Sequence, residues 1–326
     1  MPVPFRPSPA SAPVYLATRG TWILSRHADV SCALTASELS QPHITSPQQE
    51  AADHVALKAA VQADIDRLSA EQWRCCAENS LDEVVASAAR RKCPDLLADI
   101  IQPWTTRMVA SLNAKPDPNQ RIDRISKELL LAAVTNSKHR RKLAEQAVDR
   151  MIQDRSLVVS RPMFFGFTQT LSSYLAKAWL ALLLNPERCE QLLASHTLAA
   201  NATGELLRYA GIVHTIHRTA NTDVQVGAAH IREGQTVMLE IDSANFDPER
   251  FENPDQLDFT RRSAGQLALG RGLHACVGLQ LVRMASQAAL QRFLRAGFVL
   301  DVSRQVLWTG DRTLLWPFAV PVKMSR

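Results

Sequence analysis

The stretch Gln266-Leu-Ala-Leu-Gly270-Arg-Gly272-Leu-His274-Ala-Cys276-Val-Gly278 decides how the rest of the chain is read. Two readings compete for it. As Gly270-x-Gly272-x-x-Ala275 it fits a dinucleotide-binding fingerprint, with a short apolar run before it, a helical pattern after it and Asp301 further on. That fingerprint normally opens a parallel sheet, and only about fifty residues follow here to build one. The second reading uses more of the residues. A cysteine just before a helix N-terminus has its thiolate favoured by the helix dipole and by backbone N–H groups, and the glycines let the backbone approach a flat group closely.

The surrounding composition bounds the choice. The 326 residues are 46% hydrophobic, 21% charged and 6% aromatic, which excludes disorder, collagen-like repeats and a disulfide mini-protein. Twelve glycines are few for this length, and Ala, Leu, Arg and Gln recur, a balance that favours helices. A net charge of +5 gives no reason to expect nucleic acid as a partner. Six cysteines (Cys32, Cys75, Cys76, Cys93, Cys189, Cys276) show no framework spacing and no Cys-x-x-Cys pair, the usage of a reducing cytosol. Residues 1–13 form a proline-rich arm without the apolar core of a signal peptide, so a soluble cytoplasmic protein is expected.

Met163 to Leu184 is mostly apolar over 22 residues but carries Thr168, Gln169, Thr170, Ser172, Ser173 and, centrally, Lys177. A mid-span lysine costs roughly 2.5–3.5 kcal/mol in a membrane, so this is read as a helix buried in a protein core. It ends at Asn185-Pro186, where proline opens the next helix. Elsewhere Thr21–Leu24 reads as a short strand and Asp29 as the cap of a helix running toward Leu34. The pattern is helical from Glu50 to about Ala114, then a loop by composition at Asn113–Asn119. Amphipathic segments follow at Ile122–Val134 and Arg140–Ile152, and a helix at Ala199–Tyr209. After Arg218 the period alternates, at Val224–Val226 and Gln235–Glu240. Residues 242–275 are loop-rich, a helix follows Cys276 to about Arg295, and short strands close the chain. With no internal repeat and no linker, one domain over residues 1–326 is expected.

Cysteine thiolate is one of the side chains that ligate haem iron, and as such it pushes electron density toward bound oxygen. The loop resembles the cysteine-ligand loop of the cytochrome P450 superfamily, Phe-x-x-Gly-x-His/Arg-x-Cys-x-Gly. Gly272, His274, Cys276 and Gly278 match it, while Leu269 stands where the family has Phe. Glu205-Leu-Leu-Arg208 resembles the family's Glu-x-x-Arg signature, 68 residues before Cys276, and is followed by His217-Arg218, Ser243-Ala-Asn245 and Asp247-Pro248. In the family a further arginine joins the Glu–Arg pair. The matching position here is Gln256, which leaves the triad incomplete unless Arg250 substitutes. His54-x-x-x-Lys58 resembles the family's His-x-x-x-Arg, so His54, Lys58, Arg218 and His274 are the implied partners of the haem propionates. Trp22-Ile-Leu-Ser-Arg-His-Ala-Asp29 resembles the family's first strand and helix. The resemblance implies a mainly α fold with small β-sheets, a cytochrome P450-like fold holding haem b (iron protoporphyrin IX) on Cys276.

Departures are concentrated on the distal, substrate side. Counted back from Asn185, Gly166-Phe-Thr-Gln-Thr170 falls on the family's Ala-Gly-x-Glu/Asp-Thr. Thr170 keeps the alcohol. Gln169 replaces the acid that relays protons for oxygen activation, and an amide cannot titrate. Fewer than twenty residues separate Leu34 from His54, and only two helices and a loop fit between Leu112 and Arg161, so the roof over the substrate is reduced.

Three functions follow from the resemblance. The first is a monooxygenase acting on a small or carrier-tethered organic substrate with O2 and electrons from a ferredoxin- or flavodoxin-type donor. The second is peroxide-driven oxidation or rearrangement at the same haem, and the third a non-catalytic haem-binding partner protein. Arg271, Arg283, Arg292 and Arg295 mark either a docking face for the electron donor or a solvated surface. His214 and His217 lack the further ligands of a metal site, and Cys75-Cys76 read as buried helix residues rather than a redox pair. A second copy of the chain, a carrier protein, or the segment Ile122–Ile152 is expected to cover the shortened distal side.

Overall fold

The computed structural model describes residues 9–42, 47–112, 120–261, 264–310 and 313–325. Residues 1–8 of the proline-rich arm and the loop expected at Asn113–Asn119 lie outside them. In chain order the elements are β1 (Val14–Leu16), β2 (Thr21–Leu24), α1 (His27–Ala33), β3 (Leu39–Ser40), α2 (Pro47–Ile65), α3 (Ala70–Ala89), α4 (Gln102–Ala110), α5 (Arg121–Val134), α6 (Lys138–Gln153), α7 (Arg161–Phe165), α8 (Ser172–Leu183), α9 (Pro186–Ala194) and α10 (His196–Ala210). Then come β4 (Thr215–Ala220), β5 (Val224–Val226), β6 (Ala229–Ile231), β7 (Thr236–Glu240), α11 (Ile241–Asn245), α12 (Leu279–Arg295), β8 (Phe298–Leu300), β9 (Leu307–Gly310), β10 (Leu315–Ala319) and β11 (Val322–Met324). Helices dominate and the sheets are small. The residues group into two compact units, one of Met1–Lys58, Gly204–Val277 and Asp311–Leu315, the other of Ala59–Thr203, Gly278–Gly310 and Trp316–Arg326.

The first unit is built on a five-stranded sheet in the order β1-β2-β7-β4-β3. Only β2 and β7 run parallel, Thr21 opposite Thr236 and Leu24 opposite Leu239. The other pairs are antiparallel. Such a sheet overturns the dinucleotide reading, which needs successive parallel strands, and Gly272 begins a short 3₁₀ turn, Gly272–His274, rather than a helix. Alternation along the strands sends Leu24, Leu39, Val237 and Leu239 into one core with Val30 and Ile241. Asp29 does not cap α1. The helix starts at His27, and its first N–H donates to Asp247 Oδ2 at 2.8 Å. A carboxylate more than two hundred residues away thus satisfies the free donor that a local cap was expected to serve.

The second unit is helical. Ser69 and Gln72 form a capping box at the start of α3. The core stacks Trp179 on Phe293 with ring centroids 4.1 Å apart, and Trp104 stacks on Trp179 at 6.3 Å. The apolar run expected as one helix is interrupted: α7 and α8 are joined by a π-helical turn, Gly166–Leu171. Ser172 through Leu182 are all buried, Lys177 among them, as a core helix requires. No described helix is long and apolar enough to cross a membrane. Pro186 takes the first turn of α9, where its missing N–H costs nothing. Among the described residues, α5 and α6 are the helices between Leu112 and Arg161.

Candidate functional site

The i, i+3 spacing on α10 brings Glu205 and Arg208 together, and their side chains are completely buried. Arg208 donates to Glu205 Oε2 at 2.9 Å and Oε1 at 2.8 Å, and to the carbonyls of Asn245 at 2.9 Å and Gln256 at 3.1 Å. Phe246 and Phe251 face the guanidinium at 5.2 and 5.4 Å. The triad is complete, contrary to expectation: Arg261 Nε lies 3.2 Å from Glu205 Oε1. Gln256 contributes only its carbonyl, and Arg250 is turned away onto Phe251 and the Ala264 carbonyl. Asn245 carries this lock forward, because its Oδ1 accepts from the backbone of Leu267 at 2.7 Å, three residues before Gly270.

The loop beyond is a set of tight turns. Gly270 N–H donates to Leu267 O at 2.9 Å and Cys276 N–H to Leu269 O at 2.8 Å. Gly272 has a φ of +69°, and a Cβ there would sit 2.9 Å from the Leu34 carbonyl, so both conformation and space demand glycine. Cys276 is half-buried, and α12 opens three residues later at Leu279.

Four of the residues expected to bind an acidic group belong to this first unit. The rings of His54 and His274 meet edge to face with centroids 5.0 Å apart. Burial, with Lys58 adding to it, holds the His54 imidazole below its ordinary pKa; burial and then Arg218 do the same to His274. Arg218 is 4% exposed and burial lowers its pKa too; among the described residues it donates to the His217 carbonyl at 2.9 Å. Lys58 is exposed, one turn beyond His54. His54 Nε2 is buried with no partner among the described residues. A buried cationic side chain and an orphaned ring nitrogen are what a carboxylate-bearing ligand would satisfy. With the glycine turns and the thiol, these residues fit a flat, acid-bearing, thiolate-ligated group. Glu50 also sits in the cluster, and composition gave no reason to single it out.

Gln169 and Thr170 lie in the π turn of the second unit, a helical irregularity common at functional positions. Thr170 is exposed and Gln169 partly so. The Gln169 amide donates to Thr168 O at 2.9 Å and Ser126 O at 3.3 Å, tying the turn to α5. Gln169 also reaches the Ser126 hydroxyl at 3.4 Å, and Gln102 donates to that hydroxyl at 3.1 Å from α4.

Several minor candidates resolve simply. His214 Nδ1 pairs with Asp242 Oδ2 at 2.6 Å while His217 is exposed, and no metal-holding cluster occurs among the described residues. Cys75 is exposed on α3 rather than buried, and the Cys76 thiol donates to Ser111 at 2.9 Å. Arg292 is spent on Glu78 and Asp82, which removes it from the basic face expected with Arg271, Arg283 and Arg295.

Comparison with known proteins agrees with this geometry. The cytochrome P450 family model matches residues 184–307. Cytochrome P450-SU2 of Streptomyces griseolus is 26% identical over 98% of this chain and 94% of its own length. Cytochrome p450 CYP199A2 of Rhodopseudomonas palustris is 30% identical over 53% of this chain and 42% of its own, so the chain spans less than half the length of that relative. Among solved structures, the LnmA cytochrome P450 hydroxylase of Streptomyces atroolivaceus superposes with a TM-score of 0.75 at 23% identity, covering 93% of this chain and 90% of that one.

Proposed function

We propose, for a chain that belongs to the cytochrome P450 superfamily, a haem-thiolate oxidoreductase that inserts an oxygen atom from O2 into an organic substrate. The observation that carries this reading is the conjunction, within one unit, of the Cys276 turn with the acid-receiving cluster of His54, Arg218 and His274. Cys276 would supply the thiolate that holds the iron, and the cluster, with Lys58 at its edge, would receive the propionates; the cofactor is taken as haem b. When bound, the haem supplies the redox chemistry that activates oxygen.

The chain's own residues do the rest. Glu205, Arg208 and Arg261 hold the segment from Asn245 to Leu267 in place, and so fix where the cysteine loop starts. By resemblance, Gln169 and Thr170 take the proton-handling positions. Thr170 presents a hydroxyl, able to donate and accept; Gln169 has its N–H groups committed to Ser126 and Thr168 and leaves an oxygen that orients a donor but carries no proton. This favours a second reading, peroxide-driven oxidation or rearrangement, in which no acid is needed to deliver protons.

Electrons would come from a ferredoxin- or flavodoxin-type protein, and exposed Arg271 and Leu273 on the cysteine loop suit such a contact. The cysteine usage supports a reducing cytoplasmic setting. The reduced roof favours a substrate delivered by an acidic carrier protein. The α5–α6 pair borders an open cleft of about 710 Å³ lined by Arg121, Arg124, Arg140 and Arg150, of which Arg140 pairs with Glu128 at 2.9 Å and Arg121 lies 3.8 Å from Asp154 on the same walls, with Leu143 half exposed beside them. The deciding experiment is spectroscopic. Reduced protein with carbon monoxide should show the strongly red-shifted band of thiolate-ligated haem, and Cys276→Ser should abolish it. Retention of that band in the serine variant, or no haem in the native protein, refutes the assignment.

A further inference from the structure

A receptor for carboxylates should not contain one, yet Glu50 stands inside this cluster. It lies one turn before His54 on α2 and is 6% exposed. Its Oε1 accepts from the backbone N–H of Gln41 at 3.0 Å and lies 3.1 Å from His274 Nε2. Its charge acts on Arg218, His54 and His274 together, favouring the protonated form of each. Gln41 adds a second link, its amide reaching His274 Nδ1 at 3.3 Å. A buried carboxylate is costly unless paired, and the partners Glu50 has found are those a cofactor acid needs.

The charge balance makes the consequence definite. The cationic side chains of the cluster are buried Arg218 and, at its edge, exposed Lys58, and its acid is Glu50. That is one cation in excess. Two propionates turn that excess into a deficit, and it is Glu50 that tips it.

Resting on the haem reading above, we propose that Glu50 is the internal counter-anion of this pocket. It holds His274 and Gln41 in place before the cofactor arrives, competes with a haem propionate for the same donors, and so keeps haem affinity below what the cations alone would give. Two carboxylates within roughly 6 Å, at an effective dielectric near 20, repel enough to shift an equilibrium by about tenfold to a hundredfold.

The test compares native protein with Glu50→Gln, loaded during expression with added haem so that the rate does not depend on refolding. Haem transfer to excess apomyoglobin, followed in the Soret band, should be at least about tenfold slower from the amide variant. The cofactor-free variant should melt below the native protein. Repeating the transfer with haem dimethyl ester, which has no propionate charge, should erase the difference. Haem loss from Glu50→Gln as fast as native or faster overturns the proposal, as does an equal gain with the diester. A native protein that takes up no haem overturns the functional reading and this proposal with it, whereas normal uptake with either contrary rate overturns this proposal alone.

Discussion

Replacing Arg208 by alanine tests the part of the structure on which the cysteine loop hangs. The side chain is fully buried, as is that of Glu205. Truncation leaves the carboxylate with Arg261 at 3.2 Å and the Asp258 N–H at 3.1 Å, and strips a donor from the Asn245 and Gln256 carbonyls. Breaking a buried pair on one side costs about 3–5 kcal/mol. Each carbonyl left dry adds about 1–3 kcal/mol as an upper bound, and neighbouring terms do not sum fully. A loss of about 4–6 kcal/mol is therefore expected, against a total stability of about 5–15 kcal/mol for a typical protein. Arg261→Ala is the internal control. Its side chain is 10% exposed and its loss leaves the Arg208–Glu205 pair whole, so about 1–2 kcal/mol is expected. Urea unfolding of the cofactor-free proteins, read by tryptophan fluorescence and circular dichroism, should show the Arg208 midpoint falling far more than the Arg261 midpoint. Haem uptake should be impaired in the Arg208 variant, because Asn245 links this lock to Leu267. Equal shifts, or a loss under about 1 kcal/mol for Arg208→Ala, would refute the reasoning.

Three further outcomes are expected. Gln169→Glu should raise the fraction of electrons appearing in product and reduce peroxide leakage, while losing about 1 kcal/mol of stability because a carboxylate cannot donate to Ser126 and Thr168; an unchanged product-to-electron ratio alongside efficient native turnover shows that protons arrive elsewhere. Burial holds His27 below its ordinary pKa near 6.5, so the unfolded chain binds protons first. Its contribution is complete above about pH 6.5 and is lost as pH falls toward the folded value; His27→Gln should flatten the decline in urea midpoint between pH 7 and 5, and a slope equal to native or steeper contradicts this. Stopped-flow binding of imidazole to the haem-loaded protein should be fast and weakly size-selective, and should slow if a second copy or another protein covers the distal side; slow, strongly size-selective binding at every protein concentration means the chain closes its own pocket.

The features that sequence alone determined are local ones. Gly-x-His-x-Cys-x-Gly, Glu-x-x-Arg and His-x-x-x-Lys are spacings within one turn or one helix face, and backbone geometry converts each directly into a neighbourhood. Apolar periodicity likewise foretold the buried run around Lys177, because a helix that is hydrophobic all round belongs inside. Tertiary structure decided whatever joins distant segments. Arg261 completes the Glu205–Arg208 triad from 56 positions beyond Glu205, and nothing in its own surroundings separates it from Arg250. Asp247 serves the first N–H of α1 in place of Asp29, because a fixed carboxylate brought by the fold satisfies that donor whatever lies beside it in sequence. The π turn at Gly166–Leu171 adds one residue to a helical turn without leaving a mark in the apolar pattern. Glu50 is the sharpest case: on α2 it is one acid in a helix start, and only its approach to His274, more than two hundred residues away, makes it part of the pocket. Charges act through space and the chain is read in order, so their meaning waits on the fold.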